Sequence, residues 1–258
     1  MQAWDPGLYR QFETERTRPA RELLARIAVR HVAHVTDLGC GPGNSTELLY
    51  NAWPQARITG VDSAETMLAE ARKRLPQCRF VQGDFCDWRP DAPQQVIYAN
   101  ASLQWADNHE TLLPQWVGQL AEGGALAIQM PDNLDEPSHR LMREVAARQP
   151  WRDAVASGAD ARKKLLSAGR YYDLLIASGC EVDIWRTTYY HRMADVQAIS
   201  RWLRATGLRP FLSALTEPQQ KSFLTAYEKA LGDAYPRQAD GEILLAFPRL
   251  FIVAVKKG

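Results

Sequence analysis

Val35-Thr36-Asp37-Leu38-Gly39-Cys40-Gly41-Pro42-Gly43-Asn44 decides how this chain folds. A short apolar run ends in an acidic residue, glycines follow at alternate positions, and a helical pattern opens at Ser45-Thr46-Glu47-Leu48-Leu49. That order predicts a strand, a tight turn and a helix N-terminus. Glycine accepts φ > 0 and lets backbone N–H groups approach a ligand, so the turn is a floor for a polar cofactor. A phosphate-binding loop would end in Gly-Lys-Ser/Thr, whereas Gly43 is followed by Asn44. The dinucleotide fingerprint would place its third glycine at position 44, which is asparagine.

Working outward, Arg57-Ile58-Thr59-Gly60-Val61-Asp62 is a buried-type strand that ends in a carboxylate. It falls roughly 20 positions past the turn, where α/β cofactor folds place an acid on ribose hydroxyls. The alternative for Asp62 is a helix N-cap before Ser63-Ala64-Glu65-Thr66-Met67. A third strand runs over Cys78–Phe85 and a fourth over Gln95–Asn100, delivering Asn100-Ala101-Ser102-Leu103-Gln104-Trp105 to the sheet's carboxyl edge. After a helix around Thr111–Leu120, Glu122-Gly123-Gly124 is read as a turn into a fifth strand, Ala125–Met130. Strands alternating with helices on short connections predict a doubly wound, mostly parallel α/β sheet.

The second half breaks that alternation. Pro137–Arg148 reads as helix, Gln149–Gly169 as mobile, Tyr171–Ser178 as helix and Cys180–Tyr190 as strand. Residues 194–240 are mostly helical, and Ile243–Val255 is a strand broken by Pro248. The late strands predict an edge hairpin whose connection has grown into a lid. Near the start, Pro19 is expected to begin a helix, with Tyr9 and Arg18 in or beside an arm that either packs loosely or covers the site. The resulting division is 1–30 as arm and helix, 31–193 with 241–258 as the α/β domain, and 194–240 as the insertion.

Composition narrows the function. A formal charge of +1 over 258 residues offers no broad handle for nucleic acid. No basic segment leads into an apolar run at the start, and no stretch is apolar enough to span a bilayer, so neither secretion nor a membrane is expected. Cys40, Cys78, Cys86 and Cys180 show no C-x-x-C pairing, which disfavours zinc and disulfides and suits a reducing cytoplasm. No metal site is expected.

The D-x-G-x-G-x-G pattern from Asp37 to Gly43 resembles the first motif of class I S-adenosylmethionine (SAM) methyltransferases. That resemblance implies a Rossmann-like seven-stranded sheet. It places the cofactor on Asp37, Gly39, Cys40, Gly41, Gly43, Asp62, Ser63, Met67 and Asn100, with Asp84 on the adenine amine and Phe85 by the ring. Base-methylating relatives carry Asn/Asp-Pro-Pro-aromatic after the fourth strand or a Pro-Cys nucleophile, and this chain has neither. The segments Asn100–Trp105, Gln129-Met130-Pro131-Asp132-Asn133, Asp183–His191, Ala205–Pro210 and Phe247–Phe251 are similar to those of the bacterial trans-aconitate 2-methyltransferase family.

That family implies methyl transfer from SAM to one carboxylate of a tricarboxylate, giving a monomethyl ester and S-adenosylhomocysteine, with no obligate protein partner. A carboxylate is already ionised at pH 7, so no general base is required. Arg186, Arg209 and Arg249 are candidates for holding the remaining carboxylates, because guanidinium binds them bidentately. Tyr9, Arg18, Tyr190 and His191 are further donors, and Gln104 and Trp105 are candidate walls. Two other readings stay open: methylation of another small acid or a carrier-bound acyl group, and a SAM-binding regulator without turnover.

Overall fold

A computed structural model describes residues 13–159, 162–204 and 206–258, with side chains at 13–16 and 156–159 left aside. The described residues divide into two compact units, one formed by 13–131, 165–187 and 250–258, the other by 132–164 and 188–249.

The first unit is built on the parallel strands β1 (His34–Leu38), β2 (Arg57–Asp62), β3 (Arg79–Gln82), β4 (Gln94–Asn100) and β5 (Leu120–Pro131). With β6 (Cys180–Met193) and β7 (Ile243–Lys256) the sheet has seven strands in the order β3-β2-β1-β4-β5-β7-β6. β1 pairs with both β2 and β4, so the strand order reverses beside it, and the turn after β1 opens at that switch point. Strands covered on both faces read as continuous apolar runs, and Val96 through Ala99 are all fully buried. Leu38, Val61, Ile97, Leu126, Ile128 and Ile252 lie in one core with Trp116 and Tyr171.

Three boundaries differ from the sequence reading. Helix α1 (Glu13–Leu24) contains Pro19 instead of starting at it. Tyr98, fully buried on β4, donates its hydroxyl to the Ala20 carbonyl at 2.6 Å, so sheet contacts hold the segment that proline would weaken. The Glu122-Gly123-Gly124 turn lies inside β5. Gln94 pairs with Leu120 and Val96 with Ala125, so the extra residues bulge out at Gly123, whose φ is +70°. Pro248 does not interrupt β7, and its carbonyl accepts the Asp132 N–H at 2.9 Å.

The remaining elements follow the pattern more closely. They are α2 (Asn44–Ala52), α3 (Glu65–Arg74), a 3₁₀ turn (Leu103–Trp105), α4 (His109–Gly118) and α7 (Ala168–Ala177). In α3, Glu65 lies in the first turn and Arg72, Lys73 and Arg74 in the last, matching the helix dipole.

The second unit contains α5 (Pro137–Ala146), α6 (Arg152–Ala159), α8 (Val196–Arg204), α9 (Arg209–Leu212) and α10 (Glu217–Ala234). It is larger than the 194–240 insertion, because 132–164 pack into it. The stretch read as mobile holds α6, anchored by Trp151, whose ring meets Phe223 edge-on at 5.7 Å. α10 starts with a Thr216/Gln219 capping box, and Phe223, Tyr227 and Leu231 turn its apolar side inward. Among the described residues, no helix is long and apolar enough to cross a membrane.

Candidate functional site

The turn after β1 is held by backbone and carboxylate. Gly39, Gly41 and Gly43 all have positive φ, at +74°, +54° and +89°. The Gly39 and Cys40 N–H groups donate to the Val61 carbonyl at 2.8 and 3.0 Å. Asp62 accepts from the Gly41 N–H at 2.9 Å and from the Ala64 N–H at 2.9 Å. Asp62 therefore joins the turn to the segment before α3, whose N-cap is Ala64 and not Asp62. Burial raises its pKa, and the three backbone N–H bonds to Asp62 oppose that rise.

Asp37 serves the turn from beneath. It is fully buried, and its Oδ2 accepts from Ser45 Oγ and Thr46 Oγ1, both at 2.7 Å, pinning the first turn of α2. Burial pushes its carboxyl up to about 6, against the two hydroxyl bonds and with a smaller contribution from Asp62. Cys40 is buried in the turn, where burial and then Asp37 drive its thiol well above the usual range. Gly60 makes room for it, since a Cβ there would come within 2.9 Å of Cys40 Sγ and 2.7 Å of Phe80.

The end of β4 faces the same turn. A Cβ on Gly39 would lie 2.3 Å from Ser102 Cβ, and Ser102 Oγ donates to the Leu38 carbonyl at 2.7 Å. Ala101 sits at φ +54°, a left-handed conformation that costs a non-glycine residue about 1–2 kcal/mol. Buried Asn100 Oδ1 and Gln104 Oε1 have no hydrogen-bond partner among the described residues. Below them His109 Nε2 lies 2.9 Å from the Leu103 carbonyl, which can only accept. Nδ1 therefore takes the Tyr171 hydroxyl proton at 2.6 Å. Burial lowers the pKa of this histidine, keeping it neutral under the 3₁₀ turn.

These observations fit SAM. An open backbone floor at Gly41, where a Cβ would meet nothing within 4 Å, lies beside a carboxylate, and an orphaned amide oxygen caps β4. The other expected cofactor residues are more varied. Met67 is buried in the core, Ser63 is exposed, and Phe85 is half-buried with its edge on Trp116 at 6.1 Å. Asp84 is exposed and accepts the Cys86 N–H at 2.8 Å.

The expected substrate residues separate by exposure. Tyr9 lies outside the described residues. Arg18 is exposed and paired with Glu22 at 2.9 Å. Arg186 is exposed on β6, and Trp105 is 37% and Tyr190 65% exposed. Alternation along β6 turns His191 the other way, so Tyr190 and His191 do not share a face. His191 is buried among Trp202, Phe247 and Tyr189, with ring centroids 4.7, 5.7 and 6.4 Å away. Arg249, 4% exposed, lies 4.8 Å over Phe247 and 5.9 Å over Tyr189. Arg209 is half-buried, and burial lowers its pKa.

Sequence reasoning missed three residues of this second unit. Arg162 donates from Nη1 to Asn133 Oδ1 at 2.8 Å, and its Nε is closed off from solvent. Burial, countered by Asp132 and reinforced by Arg143, brings its pKa down to about 10. Buried His139 is pushed to about 3 by burial and then by Arg162 and Arg143. Asn133 belonged to a segment already singled out, whereas Arg162 sat in a stretch without periodicity.

Residues 35–124 match a protein family described as a methyltransferase domain. The chain is 58% identical over 254 residues, 98% of each chain, to the trans-aconitate 2-methyltransferase of Yersinia pestis (strain Pestoides F). It is 57% identical to the protein of the same name from Klebsiella pneumoniae (strain 342), over 99% of both. Among solved structures, the YcgJ protein of Bacillus subtilis matches with a TM-score of 0.61 at 14% identity, covering 93% of this chain and 99% of that one.

Proposed function

We propose that this chain, which belongs to the trans-aconitate 2-methyltransferase family, transfers the methyl group of SAM to one carboxylate of trans-aconitate, releasing the monomethyl ester and S-adenosylhomocysteine. The observation that carries the reading is the 58% identity across almost the full length of both chains. The glycine turn, Asp62 and the Asn100 amide oxygen support that reading.

Bound at the turn, SAM supplies a methyl group activated by a sulfonium. The chain's own work is to bind, align and exclude water. Gly39–Gly43 would present backbone to the cofactor, and Asp62 would take its ribose hydroxyls. Asn100 and Gln104, at the end of β4, are placed for the polar edge of the reaction site. The attacking carboxylate is ionised at neutral pH, so no side chain has to accept a proton. Charge is neutralised as the oxygen–carbon bond forms. Water stabilises the separated charges better than the transition state, so alignment in a dry pocket supplies most of the acceleration.

Among the candidate anchors, Arg249 and His191 suit a carboxylate best, being cationic or donor groups held rigidly by aromatic rings. Arg209 is the next choice, and exposed Arg186 and Tyr190 require the substrate to meet them at the surface. The free thiols Cys40, Cys78, Cys86 and Cys180 suit a reducing, cytoplasmic location. The direct test is mass spectrometry after mixing protein, SAM and trans-aconitate. One methyl ester per S-adenosylhomocysteine is expected. Turnover of a different acid with none of trans-aconitate would overturn the substrate assignment.

A further inference from the structure

We propose that Arg162 and Asn133 form a subsite that grips one of the substrate carboxylates that is not methylated. The inference rests on the small-polyacid reading above and names residues beyond the anchors given there.

The geometry starts from the amide. Asn133 is 1% exposed, and its Oδ1 takes the Arg162 Nη1 proton at 2.8 Å. A guanidinium only donates, so this bond fixes which end of the amide is oxygen. The other end, Nδ2, is buried and has no hydrogen-bond partner among the described residues. An unmade buried N–H is costly, and a carboxylate oxygen is the acceptor that would satisfy it. Because Oδ1 and Nδ2 share one carbon, that donor lies beside the guanidinium. The pair is thus a charged fork extended by one neutral donor, a shape that suits a two-oxygen anion.

Charges of both signs act on this guanidinium. Arg143 lies close enough to depress Arg162, while donating its own Nη2 to the Leu134 carbonyl at 2.7 Å. Neighbouring His139 stays uncharged against the two guanidiniums, and Asp132 is the carboxylate that acts on Arg162. The Asp132 N–H bond to the Pro248 carbonyl at 2.9 Å sets Asn133 and Arg249 one residue beyond either end of a single contact. The backbone that carries Arg249 is therefore tied to the backbone that carries Asn133. Arg162 itself is half-buried.

The test uses the full chain with SAM and three acids. These are trans-aconitate, methylfumarate (its carboxymethyl arm replaced by methyl) and itaconate (one carboxylate replaced by hydrogen). Arg162→Ala should lower kcat/KM for trans-aconitate about 10- to 100-fold and leave the KM for SAM unchanged. It should also erase, by a similar factor, the preference for trans-aconitate over one of the two dicarboxylates. Asn133→Ala should do the same about tenfold, and Arg162→Lys should restore part of the loss. If Arg162→Ala fails to fold, the other two variants carry the test. Survival of both preferences in the folded variants, or a matching rise in the KM for SAM, overturns the subsite alone. Failure of the unaltered protein to turn over any of the three acids overturns the small-polyacid reading, and this inference with it.

Discussion

The glycine turn of the first unit and the cation cluster of the second are built from different materials. The turn is mostly backbone, with three left-handed glycines, N–H groups fixed on the Val61 carbonyl, and two carboxylates whose bonds stay local. The cluster is side chain, assembled from positions as far apart in sequence as Asn133 and Arg162. A backbone site is sensitive to an added atom where the turn is close-packed, as at Gly39, and less so where it is open, as at Gly41. A side-chain site tolerates changes of shape but not of charge.

The sharpest way to break this comparison is Gly39→Ala. Its Cβ would meet Ser102 Cβ at 2.3 Å in a residue already at φ +74°, so overpacking and strain together should destabilise the first unit by about 2–5 kcal/mol and abolish SAM binding. Gly41→Ala has the same backbone handicap but open space, and should cost only about 1–2 kcal/mol. Thermal unfolding and calorimetric titration of SAM would read both. Equal losses would mean that the clash with Ser102 is relieved by movement.

Next in size is a pH effect. The Asp37 carboxyl is raised from 3.8 to about 6, so the folded chain holds a proton more tightly than the unfolded one. Between those values the folded state binds more protons, and stability falls as pH rises, by about 3 kcal/mol at most. Asp37→Asn should flatten this slope in denaturant titrations between pH 4 and 7. An unchanged slope would remove Asp37 as its source.

The smallest effect tests the second region. A Cβ on Gly207 would come within 2.9 Å of His139 Nε2. Gly207→Ala should therefore disturb the cluster at a cost of about 1–2 kcal/mol, raising the KM for the acid while leaving that for SAM in place. Parallel changes in both constants would show that the two regions do not act separately.

The same difference decides what could be read from sequence. β2 was read at its observed limits because apolar periodicity and a terminal acid are local signals, and the turn announced itself through glycine spacing. Boundaries slipped where tertiary contacts overrode local rules. Pro19 stays helical with Tyr98 bonded to Ala20, Pro248 stays in strand, and Gly123 bulges within β5 instead of ending it. Arg162 could not be read, because nothing in the stretch around it says that Asn133 waits at the other end of a hydrogen bond. Conversely, Arg186 looked as good as Arg249 in sequence, and only burial separates them.

Cys40 gives the turn its own reporter. Its sulfur lies sealed between Gly41 and Gly60, in a setting that keeps it protonated, so an alkylating reagent can reach it only when the turn opens. The rate at which that one peptide gains mass would therefore time the opening of the turn, and a ligand that presses on Gly39–Gly43 should slow the clock without touching the sulfur.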